Sequence, residues 1–360
     1  MSASFPIPRS AVVSAYAPTT GVGGVAASFF ALGLVAEHLL FPVFPGTRGA
    51  AGVRVVRHPL NVAGSGALLS RRFPSRWAAE LARLDYAHFA TPHFFHLADR
   101  PRAATGTVHD LFFLPQYRDR TNSTGFSWYF RGELKWLGRL RAVVTVSRAT
   151  QGQLAALAPS LPTVVIHPWT GPEFRPRDPA EARARLGWPT DRTILLHVGA
   201  ASRRKNLGLL AELLDRLGPD HLLVRVGPPS ALDDRFPVSR MLRLRAVPPE
   251  AYPWLFNAAD VVVQPSTAEG FGIPVIEAIN SATPVVASRI PVFAETLGRE
   301  YPYLADPRAP DEWAQRIREI AGAGRERATA PYRAIGDHFR PERGRREYVE
   351  LLDRIGVAGG

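Results

Sequence analysis

Short β-branched runs alternate with helix-period segments along this chain, and that alternation constrains its fold more than any other feature. Ala142–Val146, Thr163–Ile166, Thr193–Val198 and Asp260–Gln264 are such runs. Strands separated by helices argue for an α/β architecture of parallel sheets with helices on their faces. With 360 residues, 46% of them apolar, the chain exceeds one ordinary core and suits two domains of roughly 170 residues each. The Pro- and Gly-rich stretch Val164–Pro176 reads as the linker between them. We therefore expect one domain over residues 1–170 and a second over 171–330. Residues 331–360 end in a helix from Pro341 with Tyr348, Leu351, Leu352 and Ile355 on one face, expected to pack back on the first domain. No internal repeat is legible.

The chain has no cysteine, which excludes disulfides and thiolate metal sites and disfavours an exported scaffold. Met1–Pro18 has one basic residue and is broken by Pro6, Pro8 and Pro18, unlike a signal peptide. The longest apolar stretch, Val22–Leu40, contains Gly23, Gly24, Glu37 and His38 and fits a core helix better than a membrane span. A cytoplasmic location is the expectation. Charge is uneven: residues 1–170 carry 17 Lys+Arg against 7 Asp+Glu, whereas 171–360 carry 27 against 25. A basic half suggests an anionic partner, such as nucleic acid, an anionic membrane face or a phosphorylated substrate. A composition biased to arginine would give the same charge without any partner. Leu68–Leu84 reads as a helix with a basic, aromatic start of Arg71, Arg72, Phe73, Arg76 and Trp77. It fits the interfacial patch of a peripheral membrane protein, or else a solvated helix face packed by one aromatic. Phe126, Trp128, Tyr129, Phe130 and Trp136 fit a helix whose aromatic side is core better than a platform for single-stranded nucleic acid.

Two segments of the second half carry chemistry. In His197–Asn206 a strand ends at Gly199, a short loop follows, and Arg203, Arg204 and Lys205 open a helix. Cations at a helix N-terminus oppose its macrodipole, a conflict that a bound anion removes. Arg and Lys together can hold both phosphates of a diphosphate. A solvated helix start is the plainer reading. In Pro265–Glu277, Gly270 and Gly272 make a tight loop whose amides can approach a ligand, and Pro274 suits the first position of a helix. Glu269 precedes that helix and Glu277 lies in its first turn, so both can face one ligand at the mouth of the sheet. Carboxylates accept hydrogen bonds and suit the vicinal hydroxyls of a sugar or a ribose; the amides near Gly272 suit a phosphate or sugar oxygen. Capping by Glu277 is the plainer alternative, and it leaves Glu269 unexplained.

The first half offers weaker signals. A strand Val12–Tyr16, a glycine loop Pro18–Gly24 and a helix from about Val25 would turn the amides of Gly23 and Gly24 toward an anion, or form a plain tight turn. His109 stands at the polar end of a strand, where parallel sheets take ligands, or serves structure there.

The segment Glu269–Glu277 resembles closely the paired-glutamate signature of retaining glycosyltransferases of family 4. These have the GT-B fold, two Rossmann-like domains with parallel sheets facing across a cleft. Arg204, Lys205 and Asn206 resemble the family's phosphate-binding segment. Val108, His109 and Asp110 resemble the strand end that contacts the transferred sugar. Val146 and Ser147, then Val165 through Phe174, resemble the run into the linker, and Gly21–Gly24 the glycine loop. The resemblance covers most of the chain. It implies that Glu277 bonds ribose hydroxyls and Glu269 those of the transferred sugar. It also implies that Arg204 and Lys205 neutralise the diphosphate and that His109 lies beside the anomeric carbon. Phe271, Gly272 and Ile273 would complete the cradle with their amides, and Gly199 would border the donor. Ala200 stands where many relatives have Arg, and Ser202 where a proline is frequent.

The same resemblance implies transfer of a hexose with retention. Its mannosyltransferase-like members favour GDP-mannose, with UDP-glucose or another nucleotide sugar next. The acceptor would be a glycan or a lipid-linked glycan on the basic domain, with the inner membrane face as its anionic surface. No metal or cofactor is expected, because no Asp-x-Asp pair stands beside a strand and Arg204 with Lys205 can neutralise the leaving group. Nucleic acid is not an expected partner, since it would leave Glu269 and Glu277 without a role. A non-catalytic nucleotide-sugar-binding protein and a sugar-nucleotide epimerase remain as alternatives.

Overall fold

The computed structural model describes residues 7–15, 21–42, 51–57, 76–114 and 124–357, with side chains described in all of these but 21–25, 124–127 and 333–334. The chain divides into two compact units, one of residues 1–168 with 341–360 and the other of residues 169–340. The first crossing falls inside the Pro-rich stretch read as a linker; the second falls after Arg340.

The first unit holds β1 (Ser10–Ser14), β2 (Glu37–Leu40), β3 (Val53–Val55), β4 (Tyr86–Phe89), β5 (Ala103–Val108), β6 (Ala142–Thr145) and β7 (Thr163–Val165). They form one parallel sheet in the order β3-β2-β1-β4-β5-β6-β7. The second unit holds β8 (Thr193–Val198), β9 (His221–Val226), β10 (Met241–Leu244), β11 (Val261–Gln264), β12 (Val285–Ser288) and β13 (Leu304–Ala305). Its parallel order is β10-β9-β8-β11-β12-β13. Both sheets are doubly wound, and the order reverses between β1 and β4 in one and between β8 and β11 in the other. Ligands of such sheets bind outside the carboxyl ends of the strands that flank this reversal. Most central strands are buried on both faces, which is why they read as apolar runs without alternation.

Packing corrects two expectations. The helix expected over Leu68–Leu84 is described as Arg76–Ala82. Its Trp77 is fully buried, stacks on Phe41 with ring centroids 5.3 Å apart, and donates Nε1–H to the Val56 carbonyl at 2.6 Å. Trp77 is therefore a core anchor and not an interfacial ring; Arg71, Arg72 and Phe73 lie outside the described residues. In the helix Thr124–Glu133, Phe130 is core, but Trp128 is 63% exposed, so its aromatic residues do not all share the buried side.

The helix Pro341–Arg354 buries Tyr348, Leu351 and Leu352. The Tyr348 ring meets Phe29 edge-on, with centroids 4.0 Å apart, and also meets His88. His88 sits in the middle of the first sheet, between the Thr105 and Thr107 hydroxyls at 2.8 and 2.9 Å. Burial holds its imidazole neutral, with its pKa lowered to about 3.

Candidate functional site

In the second unit the carboxyl ends of β8 and β11 flank the reversal point, and the two segments singled out from sequence follow these strands. Asp260 sets their alignment: its Oδ2 accepts from the Ile194 amide and from Arg183, each at 2.6 Å. After β8 the chain passes Gly199 and forms a 3-10 turn over Arg203–Lys205. Asn206 is left-handed, with φ of 53°, and the helix Leu207–Leu217 begins only after it. The cations thus lie before the helix rather than in its first turn. The anion that offsets them comes from the chain itself.

That anion is Glu269, on the loop after β11. Its Oε2 accepts from Arg204 Nη1 at 2.8 Å, and its Oε1 accepts from Lys205 Nζ at 2.5 Å and from Ser266 Oγ at 2.7 Å. Backbone joins the same loops, because the Thr267 amide donates to the Arg204 carbonyl at 2.7 Å. Burial alone would raise the Glu269 pKa. The attraction of Lys205 and Arg204 outweighs it and holds the carboxyl below its ordinary value. Side-chain exposure is 7% for Glu269 and 10% for Lys205, against 26% for Arg204. The trio therefore keeps one net positive charge in a desolvated setting, where an anionic ligand gains most.

The loop then turns at Gly272, whose φ of 97° favours glycine and whose missing side chain matters as well. A Cβ there would stand 2.5 Å from a ring carbon of Phe293. The helix Ile273–Asn280 follows at once; the Ile273 amide at its first position has no acceptor within the helix, whereas the Val275 amide donates to the Gly272 carbonyl at 2.9 Å. Pro274 supplies no amide. Phe271 is buried and its ring meets Phe339 with centroids 5.9 Å apart. On the β8 side, a Cβ on Gly227 would lie 2.2 Å from the Gly199 carbonyl oxygen. The loops after β8 and β9 approach that closely because Gly227 has no side chain.

Glu277 lies on the same helix but is held by a different element. Tyr252 donates its hydroxyl to Glu277 Oε2 at 2.9 Å. Burial, outweighing that hydrogen bond, raises the Glu277 pKa to about 8. One glutamate is therefore an ion paired with two cations, and the other holds its proton at neutral pH. Sequence reasoning missed Ser266 and Tyr252. Ser266 was in view, three residues before Glu269; Tyr252 had no local signal, standing 25 residues upstream on another helix.

In the first unit, His109 follows β5 and is half-buried. Its Nε2 lies 2.8 Å from the Ala90 carbonyl, just past β4. A carbonyl only accepts, so Nε2 carries the proton and the neutral ring keeps an accepting lone pair on Nδ1. Burial lowers the pKa of this histidine. Gly23 and Gly24 are not on a loop: the helix already starts at Gly21 and runs to Ala31. The helical φ and ψ suit glycine poorly but do not exclude it, and the first four amides of a helix remain open to an anion. Residues 18–20 of the expected loop lie outside the described residues. The described residues contain no group of three or more His, Asp or Glu side chains placed to hold a metal ion, and no helix among them is long and apolar enough to cross a membrane.

Residues 178–334 match the family of glycosyl transferases group 1. The chain is 31% identical over 186 residues to a D-inositol 3-phosphate glycosyltransferase of Mycobacteroides abscessus, covering 47% of this chain and 42% of the relative. It is 29% identical over 240 residues to O-antigen chain mannosyltransferase B of Escherichia coli, covering 60% and 61%. The chain thus spans less than two thirds of either relative's own length. HepE of Anabaena, solved with UDP and glucose, superposes with a TM-score of 0.76 over 96% of this chain and 100% of its own, at 18% identity. Sucrose-phosphate synthase of Thermosynechococcus elongatus does so with 0.75 over 98% and 100%, also at 18% identity. The two doubly wound parallel sheets have the GT-B fold of these neighbours, and the match to glycosyl transferases group 1 spans most of the second unit.

Proposed function

We propose that the chain is a retaining glycosyltransferase of family 4 that moves a hexose from a nucleotide diphosphate sugar to a glycan or lipid-linked acceptor. The observation that carries this reading is the buried Arg204–Lys205–Glu269 trio at the reversal point of the second sheet. In this reading the two cations, with the amides near Gly272 and Ile273, hold the diphosphate. They stabilise the charge that develops on it as the bond to the anomeric carbon breaks. Fixed donors of this kind contribute about 3 kcal/mol each when aimed at developing charge. Glu269 accepts from hydroxyls of the sugar, and Glu277 bonds the ribose. His109, in the first unit, presents Nδ1 beside the anomeric carbon.

Attack comes from the face that the diphosphate leaves. The bond from the anomeric carbon to the phosphate oxygen breaks, the bond to the acceptor oxygen forms, and the acceptor proton passes to the departing phosphate. Neither a metal nor a covalent sugar–enzyme bond takes part. The best supported donor is GDP-mannose, from the resemblance to mannosyltransferase-like members; UDP-glucose is the second reading, since HepE has been solved with UDP-glucose. The location is the cytoplasm, with the inner membrane face as the acceptor's surface.

The test is turnover. Purified protein is incubated with GDP-mannose or UDP-glucose and a lipid-linked glycan acceptor, and the product linkage is read by NMR. Product with the donor's anomeric configuration supports the proposal. Inverted product, or donor binding without transfer to any acceptor, refutes it.

A further inference from the structure

The proposed transfer asks two things of the second unit: Arg204 and Lys205 on a diphosphate, and Glu269 on the hydroxyls of a sugar. In the structure these three groups are spent on each other. Glu269 Oε2 accepts from Arg204 at 2.8 Å and Oε1 from Lys205 at 2.5 Å. Among the described residues Glu269 is the one partner of the Lys205 ammonium, which has three donors. A carboxylate held on these cations also stands where a diphosphate would meet it as a like charge. That repulsion is strong in a desolvated setting.

Three features allow the pairing to be exchanged by side chains alone. First, Glu269 has a neutral partner besides the two cations. The hydroxyl of the fully buried Ser266 donates to Oε1 at 2.7 Å, from the same loop and three residues upstream. A carboxylate that gives up the cations therefore keeps one hydrogen bond, and sugar hydroxyls can supply others. Second, Gly199 leaves the Lys205 stem room to turn. A Cβ there would stand 3.3 Å from Lys205 Cε and 3.5 Å from its Cδ. Third, the two loops stay joined through backbone, because the Thr267 amide donates to the Arg204 carbonyl at 2.7 Å.

We propose that Glu269 is the resident counter-ion of Arg204 and Lys205, displaced by the donor's diphosphate and so freed to receive the sugar, with Ser266 as the positioning residue that keeps hold of it. This inference rests on the proposed transfer and adds an order of events to it. The diphosphate takes over the cations, and the carboxylate, still bonded to Ser266, turns to the sugar hydroxyls. Substitutions at Glu269 and Ser266 then act on diphosphate affinity in opposite directions. Removing the carboxylate frees the cations. Removing the serine leaves the displaced carboxylate without its neutral partner, a cost that falls mainly on the bound state.

Inorganic pyrophosphate, UDP, GDP and the free nucleosides uridine and guanosine serve as probes, titrated calorimetrically into the full chain and its variants. Glu269→Gln is expected to bind each diphosphate that the wild type binds about tenfold more tightly, because the ligand pairs cations that the variant leaves buried and unpaired. The free nucleosides should show no such gain. Ser266→Ala is expected to bind the same diphosphates about threefold more weakly, the effect of one lost hydrogen bond. Glu269→Gln with Ser266→Ala should match Glu269→Gln alone, a coupling that independent sites do not show. A serine that served the fold only would lower stability and leave these affinities unchanged. Equal or weaker pyrophosphate binding in Glu269→Gln, an equal gain for the nucleosides, or unchanged affinity in Ser266→Ala would each overturn the proposal. Ser266→Ala decides the matter if Glu269→Gln fails to fold. Wild-type protein that binds none of the diphosphates would overturn the proposed transfer and this inference together; wild-type binding with no gain in Glu269→Gln overturns this inference alone.

Discussion

The two doubly wound sheets share a strand order and differ in what their centres hold. The first carries neutral polar groups: His88 between two threonine hydroxyls, Tyr86 bonded to Thr105, and His109 tied to a backbone carbonyl. The second carries charge: Glu269 between Arg204 and Lys205, Arg183 on Asp260, and Arg225 near Asp233. A neutral polar core satisfies itself through hydrogen bonds and gains little from an added ion. A desolvated cluster with one cation in excess binds an anion strongly, because little water competes for it. The same architecture thus gives one sheet that presents a neutral imidazole and another that holds a desolvated cation in excess, which the proposed function assigns to a diphosphate.

Four substitutions sharpen or break this contrast. The largest effect is expected at Glu277. Its folded pKa of about 8 exceeds the ordinary glutamate value. The folded state therefore holds a proton that the unfolded chain releases, and stability falls as pH rises from about 4.5 to 8. Integrated over that window the loss is about 4 kcal/mol. Urea unfolding at pH 5 and pH 9 should show it in the wild type. Glu277→Gln, which cannot ionise, should be nearly flat by comparison; equal slopes in both proteins would show that Glu277 is not buried as described.

Glu269→Gln tests the paired ion. It leaves the Lys205 ammonium buried without its carboxylate, and should cost about 3 kcal/mol in the unfolding of the second unit. A cost near zero would mean that the trio is open to water and lacks the desolvation argued here. His109→Ala tests the neutral sheet. If Nδ1 stands beside the reacting carbon, kcat should fall by about a hundredfold, within the range of one positioned polar group. The Kd for nucleoside diphosphate should not change, and a parallel loss of nucleotide affinity would place this residue in the wrong role. The smallest effect is at Glu80, on the surface of the first unit, which bonds Arg54 at 2.7 Å and Arg83 at 2.9 Å. Glu80→Gln should cost about 1 kcal/mol or less and should shrink further in high salt, as partly exposed ion pairs do.

Much of this was readable from local sequence, and the rest fails for identifiable reasons. The strand Thr193–Val198 and the glycine turn before Pro274 are local features, set by β-branched runs and by a φ that favours glycine. The trio joins residues 64 and 65 positions apart, and only the parallel pairing of β8 with β11 brings them together. The Tyr252 partner of Glu277 is invisible for the same reason. Trp77 misled because a tryptophan among arginines has one sequence signature and two destinations, a lipid boundary or a core. Its stacking on Phe41 settles the second. The repeated strand order left no trace in the residues, since each sheet meets the same geometry with different side chains. Gly23 and Gly24 read as loop because glycine weakens helices, yet the helix Gly21–Ala31 contains them both.

The central claim is that Arg204 and Lys205 are the diphosphate anchor of the second unit. Calorimetric titration of UDP and GDP into the wild type and into Lys205→Gln, at moderate salt, tests it most directly. The claim predicts binding of at least one nucleotide by the wild type and an affinity at least tenfold lower in the variant, with the fold intact by circular dichroism. Equal nucleotide affinity in the two proteins would contradict it.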